Sequence, residues 1–235
     1  MKEGLILKVE NLNVAFNKEK VLENLNFKVK EKEALAIIGP NGAGKTVLLR
    51  TLLNLIPYQG EIKWKKGIRV GYVPQALFPK KDLPLTVKEF FSFRISNSKR
   101  ISLRETTEVL HSVGIEPSSV LKKKIGPVSS VQFQRILVAW ALLADPQVLL
   151  FDEPVAGIDI GGQETIYSLL EKLQKEKGLT IILVSHDLNI IYRIANRVLC
   201  LNKRILCQGK PQEVLDPQYL AQLYGGEIKF YKHRH

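Results

Sequence analysis

Short alternations of apolar and polar positions open the chain. Leu5 to Val9, Leu12 to Phe16, and the set Leu25, Phe27 and Val29 each place every second side chain on one face, with the polar turn Asn17 to Lys20 among them. This pattern predicts an antiparallel β flank. From Ala34 to Ile38 the alternation gives way to an unbroken apolar run ending in glycine, as expected for a strand buried on both faces. Val148 to Phe151 and Thr180 to Val184 repeat that pattern, and Ile68 to Val73 is a further strand. Helical spacing takes over elsewhere. Val47 to Leu55 predicts a helix, Val131 to Ala144 a buried one, and Ile166, Leu169, Leu170 and Leu173 share one helical face that Gly178 terminates. Thr86 with Glu89 and Ser102 with Glu105 are capping-box pairs, so 80–127 reads as a helical lobe. Val198 to Leu201 and Ile205 to Cys207 predict a closing hairpin, followed by short helices around Val214 and Tyr219. Strands alternating with helices define an α/β fold with a parallel sheet and an antiparallel flank.

The loop after Ala34 to Ile38 carries the first chemistry. Gly39, Pro40, Asn41, Gly42, Ala43, Gly44, Lys45 and Thr46 fit G-x-x-x-x-G-K-S/T between a buried strand and a helix. In that context the loop's backbone N–H groups and the helix N-terminus converge on one anion site. Lys45 is expected to reach the β- and γ-phosphates of a nucleotide, and the Thr46 hydroxyl to hold Mg²⁺. A second buried strand ends in Asp152 and Glu153, where ligands of open α/β sheets bind. Asp152 is expected to support the Mg²⁺ shell, and Glu153 to polarise the attacking water.

Composition narrows the setting. The 235 residues are 45% hydrophobic and 25% charged, ordinary for a globular protein. The longest apolar run, Ile136 to Ala144, falls well short of the roughly 18–20 residues that span a bilayer. The opening MKEGLILKVE lacks the apolar stretch of a secretory leader, which points to the cytoplasm. A net charge of +12 favours anionic partners: nucleic acid, an anionic membrane face or a nucleotide. Cys200 and Cys207 are too few for a disulfide framework and lack metal-ligand spacing, so reduced, packed thiols are expected.

With these motifs in order, the chain resembles the ATP-binding-cassette ATPases, the engines of ABC transporters, over essentially its whole length. The series runs GPNGAGKT at 39–46, GYVPQ ending at Gln75, VSSVQFQR at 128–135, VLLFDEP at 148–154, AGID ending at Asp159 and VSHD containing His186. The resemblance implies one cassette over 1–235, with 1–79 and 145–235 as the core and 80–144 as the helical lobe with its signature helix. It implies ATP and Mg²⁺ as cofactors, with the loop residues through Val47 around the phosphates and Phe16 stacked on adenine. Gln75 is implied to touch Mg²⁺ and water and to couple to the membrane partner, and His186 to contact the γ-phosphate. Ser129 and Gln132 of the signature loop and Asp159 of the D-loop are implied to complete the nucleotide site of an opposite protomer, in a head-to-tail homodimer with ATP at the interface.

One departure stands out. The family's signature loop is typically LSGGQ, whereas Val128, Ser129, Ser130, Val131 and Gln132 stand here without either glycine. Glycine permits close backbone approach and Val131 is stiff, so Ser130→Gly with Val131→Gly is expected to raise ATP turnover about tenfold or more. The last third of the chain, including Gly157 to Glu164, Gln208 to Val214 and Leu223 to Gly225, is similar to the ATPases of zinc and manganese importers. That similarity implies a separate membrane permease, an indirect extracytoplasmic metal-binding protein and a peripheral place on the inner face of the cell membrane. Nucleic acid is not the favoured partner. A soluble cassette protein acting on nucleic acid or ribosomes, and a weakly hydrolysing nucleotide-binding subunit, are the alternatives. His233 and His235, one residue apart near the end of the sequence, are expected to be inert, with weak Zn²⁺ binding as the alternative.

Overall fold

The computed structural model describes residues 4–75, 79–96 and 99–216. In chain order the first elements are β1 (Leu5–Phe16), β2 (Glu19–Lys30), β3 (Ala34–Ile38), α1 (Lys45–Leu52), β4 (Gln59–Trp64) and β5 (Val70–Val73). Next come α2 (Val87–Ser92), β6 (Ile95–Ser96), β7 (Lys99–Arg100), α3 (Leu103–Ser112), α4 (Pro117–Val120) and α5 (Ser130–Leu142). The chain continues with β8 (Val148–Asp152), α6 (Ile160–Lys175), β9 (Thr180–Val184), α7 (Leu188–Ile194), β10 (Arg197–Asn202), β11 (Arg204–Gly209) and α8 (Pro211–Val214). Two compact units result, one from 4–67 with 180–216 and one from 68–179. The expected helix around Tyr219 and the His233/His235 tail lie outside the described residues.

In the first unit, β2, β1 and β4 form an antiparallel sheet. The two strands expected at Leu5 to Val9 and Leu12 to Phe16 are one, β1, broken by a register shift between Val9 and Leu12. Asn11 takes φ 49° at that irregularity, and its backbone N–H donates to Asn26 Oδ1 at 2.9 Å, so the extra residue is satisfied and the strand continues. The apolar sides Leu7, Val9, Leu12, Leu22, Leu25 and Val29 are buried to 1% exposure or less. At about 1.5–3 kcal/mol for each fully buried large aliphatic side chain, this face anchors the flank.

The same unit holds β11, β10, β3 and β9 in that order, with β10, β3 and β9 parallel and β11 antiparallel to β10. All five positions of β3 and of β9 are buried, as their unbroken apolar runs anticipate. Asn196 Oδ1 accepts from the Ala34 N–H at 2.8 Å and Thr180 Oγ1 from the Lys32 N–H at 2.9 Å, which pins the start of β3. The expectation of reduced thiols is corrected. Hairpin register sets Cys200 directly opposite Cys207, with Cα atoms 5.0 Å apart, and the two are joined as a disulfide. Cross-strand placement brings the pair together although only two cysteines exist.

In the second unit, β5 and β8 pair in parallel, from Val70 beside Val148 to Val73 beside Phe151. Both capping boxes form: Thr86 and Ser102 accept from the N–H groups of Glu89 and Glu105, and the glutamates reach back. The 80–127 stretch holds α2, α3 and α4, and also the short β6–β7 pair that local pattern did not signal. Helix α5 packs on α3, α6 and β5, with Ile136, Val138 and Ala139 fully buried. Arg135 Nη1 donates to the Val113 carbonyl at 2.9 Å and Nη2 to the Thr165 carbonyl at 3.4 Å, fastening α5 to its neighbours.

Candidate functional site

In the first unit, β3 delivers the chain into the glycine-rich loop. A Cβ on Gly39 would stand 2.0 Å from the Leu201 carbonyl oxygen, so close backbone approach excludes any side chain there. Gly44, at φ 93°, caps α1, and a Cβ on it would meet Leu22 Cδ2 at 2.6 Å. Gly42, at φ 80°, curls the exposed crest of the loop beside Asn41. Ala43 N–H donates to the Pro40 carbonyl at 3.2 Å, and its own carbonyl accepts from Lys203 N–H at 3.1 Å. The Lys45 side chain folds back along this arch, its Nζ donating to the Gly39 and Pro40 carbonyls at 2.8 and 2.9 Å. Thr46 and Val47 follow in the first turn of α1, half-buried. The result is a glycine-rich arch leading into α1, with the Lys45 ammonium braced across it.

Strand β9 runs beside β3, with Val184 next to Ile37, so Ser185 and His186 leave at the same end as the loop. Ser185 is buried and accepts from the Asp187 N–H at 3.0 Å, while Asp187 caps α7 through the Asn189 N–H. This turn presents His186 outward. Phe16 ends β1 with 45% of its surface exposed.

In the second unit, β8 ends in Asp152, 2% exposed, and Tyr72 of β5 donates its hydroxyl to Asp152 Oδ2 at 3.3 Å. Sequence reasoning missed Tyr72; its place two residues after the start of β5, beside an acid-ended strand, is the signal that register alone supplies. Glu153 follows at φ 49°, a left-handed conformation that a glutamate adopts at a local energetic cost. Gln75 leaves β5 at the matching end, and its Nε2 donates to Glu153 Oε2 at 3.4 Å. A carboxylate and an amide thus stand at the ends of two paired strands.

Elsewhere in that unit, Ser129 caps α5, its Oγ accepting from the Gln132 N–H at 3.2 Å. Asp159 caps α6, its Oδ1 accepting from the Gly162 N–H at 2.7 Å. Ser129 and Asp159 are both exposed.

The sequence profile described as ABC transporter matches residues 22–156, more than half of the chain, and a shorter AAA-domain match spans 133–191. The chain belongs to the ABC transporter ATPase family. Among similar proteins, the zinc import ATP-binding protein ZnuC of Hydrogenovibrio crunogenus is 38% identical over 98% of this cassette and 93% of that protein. ZnuC of Pasteurella multocida is 36% identical over 98% and 87%, and a metal transport system ATP-binding protein of Thermotoga maritima is 38% identical over 93% and 90%. Among solved structures, a metal-chelate type ABC transporter in an inward-facing conformation superposes with TM-score 0.82 at 27% identity, covering 94% of this cassette and 88% of that chain. A cassette of the cbiONQ complex of Clostridium perfringens gives 0.76 at 30% identity, covering 94% of both chains. A dimeric bacterial ABC transporter cassette gives 0.73 at 26% identity, covering 88% and 99%. The cassette is an ATPase with a mixed parallel and antiparallel sheet, and no helix among its described residues is long and apolar enough to cross a membrane.

Proposed function

We propose that this cassette is the ATP-hydrolysing subunit of an importer for a divalent metal ion, zinc ahead of manganese, acting on a separate membrane permease. The observation that carries this reading is full-length similarity to zinc import ATP-binding proteins together with a glycine-rich loop across which the Lys45 ammonium is braced. In the proposal, Gly39 to Val47 embrace the ATP phosphates, Lys45 neutralises the β- and γ-phosphates and Phe16 stacks on adenine. Glu153 accepts the proton of the attacking water, Gln75 orients that water, and His186 donates to the γ-phosphate. The Thr46 hydroxyl, the Asp152 carboxylate and the Gln75 amide are the hard oxygen donors that suit Mg²⁺. When bound, Mg²⁺ supplies positive charge against the phosphate oxygens.

Ser129, Gln132 and Asp159 complete the site of a second copy, so that two chains bind two ATP head to tail. On this reading, 1–79 with 145–235 act as the core and 80–144 as the lobe that transmits closure to the permease. The cassette then sits peripherally on the inner face of the cell membrane, and an extracytoplasmic metal-binding protein feeds the permease from outside. Affinity purification of the tagged full-length chain from detergent-solubilised cells tests the assignment. Recovery of a polytopic membrane protein supports it, whereas recovery of ribosomes or nucleic acid alone contradicts it.

A further inference from the structure

Glycine in a helix is disfavoured by about 0.5–1 kcal/mol relative to alanine, so two adjacent glycines in the first turn of α6 need a reason. Gly161 has none in its surroundings: a Cβ there would meet only Asp159 Oδ1, at 3.7 Å. Gly162 differs. A Cβ there would stand 2.4 Å from Val131 Cγ2 and 2.6 Å from Ile158 Cγ2, so two methyl groups already fill the space. Nor does backbone conformation account for Gly162, which lies within helix α6 and outside the left-handed region. Val131 belongs to the first turn of α5, two residues after the Ser129 cap, and Ile158 precedes the Asp159 cap of α6.

We infer that Val131 and Ile158, closing over Gly162, form a lock that carries Ser129 and Asp159 as one rigid piece. The inference rests on the dimeric ATPase reading above, in which those two caps complete the opposite protomer's site. It also gives Val131 a purpose. Where the sequence alone suggests an obstruction, the side chain is turned onto Gly162 inside its own unit. Val131 is therefore a positioning residue, acting through the two caps rather than on substrate. Because the cassette's own glycine-rich loop and Lys45 lie in the other unit, loosening the lock should lower kcat and leave the KM for ATP nearly unchanged.

The test measures steady-state ATP turnover and thermal midpoint of the full chain for Val131→Ala, Gly162→Ala, the double variant and Gly161→Ala. Gly162→Ala is expected to lower kcat about tenfold with KM within about twofold, and Gly161→Ala to match the parent. In the double variant, Ile158 Cγ2 gains the space that Val131 vacates, so kcat should recover at least about fivefold over Gly162→Ala. Parental kcat in Gly162→Ala, or a double variant as slow as that single, overturns the lock. If Gly162→Ala does not fold, soluble double variant supports the lock and insoluble double variant overturns it. A parent chain without turnover contradicts the ATPase reading instead, and the thermal-midpoint cycle still decides the lock.

Discussion

Glu153 combines an unfavourable backbone conformation with a side chain that meets Gln75 at the ends of two paired strands. Such strain persists where surrounding structure overrides local preference, and sites of chemistry are where it concentrates. On the proposed reading, Glu153→Gln keeps the shape and removes the group that accepts the water's proton. ATP turnover is expected to fall at least about 100-fold while nucleotide affinity is retained, read by steady-state hydrolysis and by titration with a fluorescent ATP analogue. Lys45 gives the opposite split. Its ammonium bridges two loop carbonyls, so Lys45→Ala removes a brace of the arch and, on the proposed reading, the charge that meets phosphate, and affinity itself should fall by about tenfold or more. In the signature turn the two replaced glycines separate. Ser130 is the first residue of α5, and Ser130→Gly is expected to raise turnover, whereas Val131→Gly strips the contact over Gly162 and lowers it. The joint substitution that local sequence favours therefore mixes two opposing effects.

Elements that announce themselves by burial were legible in the sequence, and those held by long-range contact were not. Strands β3 and β9 read directly because both faces are covered, and Thr86 and Ser102 read directly because a capping box is local chemistry. Strand β4 escaped notice: Gln59, Gly60, Glu61 and Lys63 leave few apolar positions, and its pairing with β1 decides its state. Gly60 shows the same dependence, since a Cβ there would stand 2.3 Å from the Asn11 carbonyl oxygen. Helix α7 is only seven residues and too short for a periodic signal. The Cys200–Cys207 link depends on hairpin register, which spacing alone does not reveal. Closing so short a loop should contribute about 2–3 kcal/mol in the chain-entropy account, so a thiol reductant should lower the thermal midpoint by several degrees. A Cys207→Ser variant should not respond. The α2 cap adds a pH dependence. Hydrogen bonds from Thr86 hold the Glu89 carboxyl below its ordinary value of 4.5, so the stability it contributes is full above that value and fades as pH falls through the lowered one. Amide exchange in α2, followed between neutral and acid pH, reads that loss.

For the whole molecule, a net charge of +12 favours anionic partners, and full-length similarity to metal-import cassettes supports the proposed reading of which process that charge serves. Two copies closing on two ATP should be visible directly. Glu153→Gln with ATP is expected to elute as a dimer in size-exclusion chromatography, and ADP to return it to the monomer position. The central claim, that hydrolysis here drives uptake of a divalent metal, has its most direct test in the cell. Zinc and manganese content under metal limitation would be compared between cells carrying the native gene and cells carrying Lys45→Ala. Zinc should fall with Lys45→Ala while manganese stays level; unchanged content of both metals would contradict the account.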